Sequence, residues 1–269
     1  MSFLRHFAHA VTVVTLSITS GGALHAQNVG VDGDGFSQSS AIGLYVSRGL
    51  YGQDSPTRVR YLPYTHEVSF SSWRLRGTLP VLEIDGPGNV LIDVGNVGGR
   101  NSATVSERGI GDATVSATYE LPVFAENLPF FDITVDLKLP LADERKGLGT
   151  GRPDAGAQLD AYFPLGPVNM FASVGYRYRQ RSPVYEQLND SVNLSLGASG
   201  SVSDILQAGL IYDFREAASA FSGDTHELIP YLSWSVSPAW SLMFYLVAGS
   251  TADSADRAAG VQLTHQYRQ

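Results

Sequence analysis

Past residue 40 the apolar residues of this chain recur at every second position, and no apolar run there approaches the roughly 18 residues that mark a membrane-crossing helix. Residues 131–139 show the pattern best. Phe131, Ile133, Val135, Leu137 and Leu139 alternate with Asp132, Thr134, Asp136 and Lys138. Successive strand residues point to opposite sides, so such a segment has one apolar face and one polar face. Twelve segments qualify as strands: 41–51, 57–70, 73–84, 111–123, 130–139, 154–163, 168–180, 191–202, 206–216, 226–236, 240–250 and 257–268. Most are close to the roughly 9–11 residues that a tilted strand needs to cross a bilayer.

A soluble β-sandwich turns its apolar faces inward. A membrane barrel turns them to lipid and lines its interior with polar groups. The connections discriminate. Short ones lie at Ser71 and Ser72, 124–129, 164–167, 203–205 and 237–239, and long ones at 85–110, 140–153, 181–190 and 217–225. Outer-membrane barrels segregate short periplasmic turns from longer outer loops. The alternation is expected to lapse at Ser71 and Ser72 and at 164–167. Aromatic residues point the same way. Trp73, Trp234, Trp240, Phe70, Phe130, Phe131 and Phe163 sit beside short turns, and Tyr51, Tyr61, Tyr176, Tyr178, Tyr212 and Phe214 sit at the opposite ends. Two belts of this kind suit the lipid–water boundaries. Val261, Leu263 and Tyr267 alternate in the closing strand, although the chain ends on Gln269 rather than on an aromatic residue. The expected fold is therefore all-β: a single transmembrane, antiparallel, up-and-down β-barrel of about twelve strands, since a closed barrel is the extended structure that satisfies every backbone group in lipid.

The N-terminal 1–26 read as a signal peptide. Arg5 and His6 precede an apolar core from Ala10 to Ile18, and cleavage is expected near Ala26. Residues 27–40, rich in Gly, Asp and Ser, read as a flexible periplasmic leader, and 41–269 as the barrel. Asp32 and Asp34 resemble the start of a calcium loop but lack its later glutamate. The chain has no cysteine, so packing and backbone hydrogen bonds must hold an exported protein together. Its net charge of −8 argues against nucleic acid as a partner. The expected partners are outer-membrane lipid, the export and barrel-assembly machinery, and a small-molecule solute of unknown identity.

Several short motifs resemble a known family. They are Gly109-Ile110-Gly111-Asp112, the run from Lys138 to Asp143, Leu148-Gly149-Thr150-Gly151 with Asp154, and the earlier Tyr45-Val46-Ser47-Arg48-Gly49, Tyr61-Leu62-Pro63 and Trp73-Arg74-Leu75. Together they resemble outer-membrane transporters of the phenol-degradation MetA-pathway type, a family that usually has Thr-Gly where Leu141 and Ala142 stand. The resemblance implies an outer-membrane barrel acting as a channel for small, often hydrophobic molecules.

The expected lumen face is charged in blocks. Arg48, Arg58, Arg60, Arg74 and Arg76 come from the first three strands. Asp112, Glu120, Asp132, Asp136, Lys138 and Asp160 come from the next three, and Arg177, Arg179, Asp213 and Arg215 from later ones. Pro63 is expected to introduce a bulge in its strand. An arginine wall could face a carboxylate wall across a wet pore, or the charges could pair and close it. Enzyme readings find little support, and no cofactor is expected. The mature chain holds His66, His226 and His265, none followed two residues later by the Ser that an outer-membrane phospholipase needs. No metal-ligand spacing or phosphate-cradling loop occurs. The leading expectation is a passive channel for small solutes, hydrophobic or aromatic ones among them. The alternative is a non-conducting barrel acting through its long outer loops.

Overall fold

The computed structural model describes residues 35–98, 104–122, 129–185 and 187–267. The expected signal peptide, and all of the expected leader before residue 35, lie outside the described residues. The strands are β1 (Ser37–Gly49), β2 (Thr57–Phe70), β3 (Trp73–Pro87), β4 (Val90–Leu91), β5 (Gly95–Asn96), β6 (Thr104–Ile110), β7 (Ala113–Glu120), β8 (Phe130–Leu139), β9 (Asp154–Leu165), β10 (Val168–Arg179), β11 (Ser191–Ser203), β12 (Leu206–Arg215), β13 (Thr225–Ser237), β14 (Trp240–Gly249) and β15 (Arg257–Tyr267). β1 starts four residues earlier than expected, inside the segment read as leader.

Each wall strand pairs antiparallel with its sequence neighbour, and β15 returns to β1, which closes the sheet. β6 and β7 share one wall position. β6 pairs with the outer part of β3 and β7 with the inner part. Gly111 and Asp112 form the break between them, where Gly111 N–H donates to the Pro80 carbonyl at 2.9 Å. The result is a twelve-position antiparallel barrel. No helix among the described residues is long and apolar enough to cross a membrane.

The turns at one end are tight. Phe70 pairs with Trp73, Leu165 with Val168, Ser203 with Leu206 and Ser237 with Trp240, each across two residues. Two of these hairpins use the positive φ that tight turns favour, Gly166 at +64° and Ser71 at +52°, while the turns at 204–205 and 238–239 follow a register shift instead. Every connection at the other end is longer than these four, and at the tight end the β7–β8 connection, residues 121–129, is of comparable length. The lapse expected at Ser71 and Ser72 and at 164–167 does not occur. Both described ends of the chain lie on the short-turn side.

Side-chain parity follows lipid. Along β11 Leu194 and Leu196 are exposed, while Asn193 and Ser195 are buried in the interior. Val135 and Leu137 on β8, and Phe244 and Leu246 on β14, are exposed in the same way. A soluble sandwich would bury these residues. Exposed apolar positions continue around the wall as the band a barrel presents to acyl chains. Trp73, Trp234, Trp240, Phe70 and Phe163 face outward at the short-turn end, Tyr176 and Tyr178 face outward at the other, and Tyr212 faces outward nearer mid-wall, opposite Leu196. Three expected belt members do not. Tyr61 is buried inside the barrel, Phe130 shares the inward parity of Tyr162, and Tyr51 hydrogen-bonds the inward Ser47 at 2.8 Å.

Pro63 carries no bulge. Its register with β1 and β3 is unbroken, because Gly43 opposite leaves room for the ring and Pro80 faces it on β3. The unbroken register corrects three expected pore-lining residues. Arg48 shares the parity of Ile42, Leu44 and Val46, and Arg58 and Arg60 share that of Leu62 and Tyr64. The period of two is rigid without a bulge, so turning the apolar residues to lipid turns these arginines outward too.

Candidate functional site: a two-sided lumen

The interior is not uniformly polar. Tyr45, Tyr61, Leu82, Ile84, Ile211, Ile229, Tyr231, Met243, Tyr245 and Val247 are buried together on the inner face of β1, β2, β3, β12, β13 and β14. Several lie in one row along the ladder. Leu82 pairs with Tyr61, Tyr61 with Tyr45, Tyr45 with Gly260, Gly260 with Tyr245, Tyr245 with Tyr231 and Tyr231 with Gly209. The two glycines make the row possible. A Cβ at Gly260 would lie 2.1 Å from the Tyr245 ring, and one at Gly209 would lie 2.4 Å from the Tyr231 ring. Tyr45 and Tyr245 stack with ring centroids 6.3 Å apart. One arc of the interior is therefore built of flat tyrosine rings and aliphatic side chains, packed together with Leu148 of the 140–153 loop and with Phe171 on β10. The expectation that apolar residues would all face lipid missed this arc.

Charge and amide groups fill the inner face of β7 to β11 and continue onto β2, β3, β12 and β13. Of the expected pore-lining residues, Arg74, Arg76, Glu120, Asp132, Asp136, Lys138, Asp160, Arg177, Arg179, Asp213 and Arg215 point inward, and Asp112 lies at the inner side of the β6–β7 break. They are almost all paired. Arg74 binds Glu120 and Asp132, each at 3.0 Å, and Arg76 binds Glu67 at 2.5 Å. Arg177 meets Asp136 at 3.0 Å across β9, where Gly156 leaves the gap they need. Arg215 binds Asp213 at 3.2 Å and Glu227 at 3.1 Å. Asp160 accepts hydrogen bonds from Ser173 at 2.6 Å and Gln158 at 2.8 Å. Arg179 donates to Ser191 Oγ at 2.6 Å and to the Asn189 carbonyl at 3.0 Å. The geometry differs from both expectations. Each inward ion pair among the described residues joins groups on one strand or on strands one or two positions apart. The charges are neutralised along the wall, and none of these bridges spans the lumen.

Three of the family-like motifs, those holding Asp112, Lys138, and Thr150 with Asp154, converge on one point of the outer rim. Lys138 Nζ lies 2.5 Å from Asp154, 3.3 Å from Asp112 and 3.0 Å from the Thr150 hydroxyl. Asp112 also accepts the Ala142 N–H at 3.0 Å, and a Cβ at Gly149 would strike its carboxylate. These residues tie loop 140–153 to the wall.

The outer mouth is narrowed by loops. Leu91, Val94 and Val97, around the β4–β5 hairpin, are buried against Tyr185 and Ala218. The Asn96 carbonyl accepts a hydrogen bond from Ser219. Beneath this cluster a cavity of about 100 Å³, room for several waters, is lined by Tyr45, Tyr51, Arg177, Arg179 and Arg215 among others. Burial pushes the Tyr51 phenol up to about 12, so it stays a neutral donor at the mouth. At the rim, the N–H of Arg179 and the hydroxyl of Tyr176 donate to Asp190 and hold its carboxyl below the usual range. Among the described residues no group of three or more His, Cys, Asp or Glu side chains could hold a metal ion.

The barrel resembles solved outer-membrane structures. It matches the COG4313 outer membrane channel from Pseudomonas putida F1 with a TM-score of 0.65 at 15% identity, over 86% of this chain and 95% of that one. It matches the NanC porin with a TM-score of 0.54 at 6% identity, over 86% of this chain and 100% of that one. Among curated proteins none matches. At these identities the likeness establishes the shared fold. The profile of the family described as "Putative MetA-pathway of phenol degradation" matches residues 53–267, and the chain belongs to that family.

Proposed function

We propose that the protein is a passive outer-membrane channel for small solutes, hydrophobic or aromatic molecules among them. The observation that carries this reading is the two-sided lumen: a tyrosine and aliphatic arc opposite an arc of charges already paired along the wall. A flat apolar solute gains contact with the rings, while its polar groups meet side chains that need not break a cross-lumen bridge. The shared fold with an outer membrane channel supports the reading. Residues 1–26 would direct export, with cleavage near Ala26, and the export and barrel-assembly machinery would deliver the chain to the outer membrane. Its structural relatives are channels and porins, which fits a protein without catalytic activity.

Recording from heat-modifiable, refolded protein in planar lipid bilayers tests the proposal. Discrete conductance steps are expected, and their absence from correctly folded protein would remove it. The alternative, a non-conducting barrel that acts through its loops, draws on the apolar cluster at the mouth. Replacing residues 90–97 with a Gly-Ser segment of equal length removes Leu91, Val94 and Val97 from that cluster. We expect conductance to rise severalfold. Unchanged conductance would mean that the hairpin does not limit passage.

A further inference from the structure

Every arginine or lysine on the membrane-facing side of the described strands falls in one sector at one end of the barrel. Arg48, Arg58, Arg60, Arg108 and Arg257 face outward on β1, β2, β6 and β15, near the long-loop ends. The remaining strand cations point into the lumen. Arg48 sits directly opposite Arg58 on one side and Arg257 on the other. Like charges directly opposed across strands repel each other. Arg60 binds Glu83, and Arg108 faces the same Glu83 across β3 and β6. Arg48, Arg58 and Arg257 make no ion pair among the described residues. Leu44, Val46, Leu62 and Val81 lie just below this group and are exposed as part of the lipid-facing band. The arginines therefore stand at the level where the apolar band ends and headgroups begin. The short-turn end has no outward cation in its described strands.

We propose that this sector binds the phosphate groups of a phosphorylated glycolipid in the outer leaflet of the membrane. Phosphate oxygens would fill the fork between Arg48, Arg58 and Arg257 and relieve their mutual repulsion, because arginine presents planar paired donors to phosphate. The lipid's acyl chains would lie along Leu44, Val46 and Leu62. The one-sided placement matches a bilayer whose two leaflets differ. The proposal rests on membrane insertion and is independent of whether the lumen conducts.

The test is native mass spectrometry of the full, detergent-solubilised barrel titrated with diphosphoryl lipid A, with the same lipid without phosphates, and with inorganic phosphate. A defined lipid A adduct is expected. The variant carrying Arg48→Gln, Arg58→Gln and Arg257→Gln should bind it roughly a hundredfold more weakly, at about 1 kcal/mol per basic residue near a membrane surface. The matching Arg→Lys variant should bind more tightly than the Gln variant but more weakly than wild type, because lysine keeps the charge and loses the paired donors. If the triple Gln variant is not heat-modifiable, Arg257→Gln alone should weaken binding roughly fivefold. Equal binding by wild type and the folded Gln variants would overturn the proposal. So would equal binding of the phosphate-free lipid, or saturation of the site by inorganic phosphate at matched concentration.

Discussion

Lys138→Met should lower the stability of the folded barrel by about 3–5 kcal/mol, because it leaves buried carboxylates without their cation. Lys138 is buried, and its ammonium lies 2.5 Å from Asp154 and 3.3 Å from Asp112. It also donates to Thr150 at 3.0 Å. Met keeps most of the side-chain volume, so the effect isolates the charge. Urea unfolding of protein inserted in lipid vesicles measures it. Adding Asp112→Asn and Asp154→Asn to Lys138→Met should recover most of the loss, since no uncompensated charge then remains. A loss below about 1 kcal/mol for the single variant would show that the cluster behaves like a solvated surface pair.

Leu196→Arg should cost about 2–4 kcal/mol in the same assay, the penalty for an arginine on the lipid face near the bilayer midplane. Leu196 lies near the middle of β11, exposed on the outside, and pairs with Tyr212 on β12. Val202→Arg, on the same face beside the short turn, should cost only about 0–1 kcal/mol, because an arginine there reaches the interface. The gradient with depth is the signature. Equal, small effects at both positions would mean that this face meets water.

Much of the fold is legible in the sequence because the period of two is strict and the turns are short. All twelve expected strands form, and β2, β8 and β11 begin where the alternation begins. The orientation of three arginines was legible as well. In β1 the series Leu44, Val46, Arg48 keeps one parity, and reading the apolar pair first would have turned Arg48 outward. Charge alone suggested the lumen, although at a barrel rim the lipid face also ends in polar headgroups. The apolar arc left a weaker trace. β14 is apolar on both faces, with Met243, Tyr245 and Val247 alternating with Phe244, Leu246 and Ala248. A strand apolar on both sides needs an apolar interior as well as lipid. Gly209 and Gly260, in mid-strand, marked where a ring from the next strand would lie. The packing of the β4–β5 hairpin against Tyr185 and Ala218 left no local signal, because it joins segments far apart in the chain. The convergence of Asp112, Lys138, Thr150 and Asp154 on one ion cluster is long-range in the same sense, though the motifs that supply it are readable.

The lack of native cysteine makes a direct test of the barrel's orientation simple, because each introduced thiol is the only one in the chain. Spin labels at Val135→Cys, Leu196→Cys and Leu246→Cys in vesicle-inserted protein should collide with oxygen dissolved in the lipid and be shielded from a water-soluble nickel chelate. Labels at Thr118→Cys, Ser173→Cys and Ser233→Cys, which face inward, should lack the oxygen signature of the bilayer core. The reverse assignment, with the leucine and valine positions screened from lipid and the threonine and serine positions in contact with it, would contradict the account.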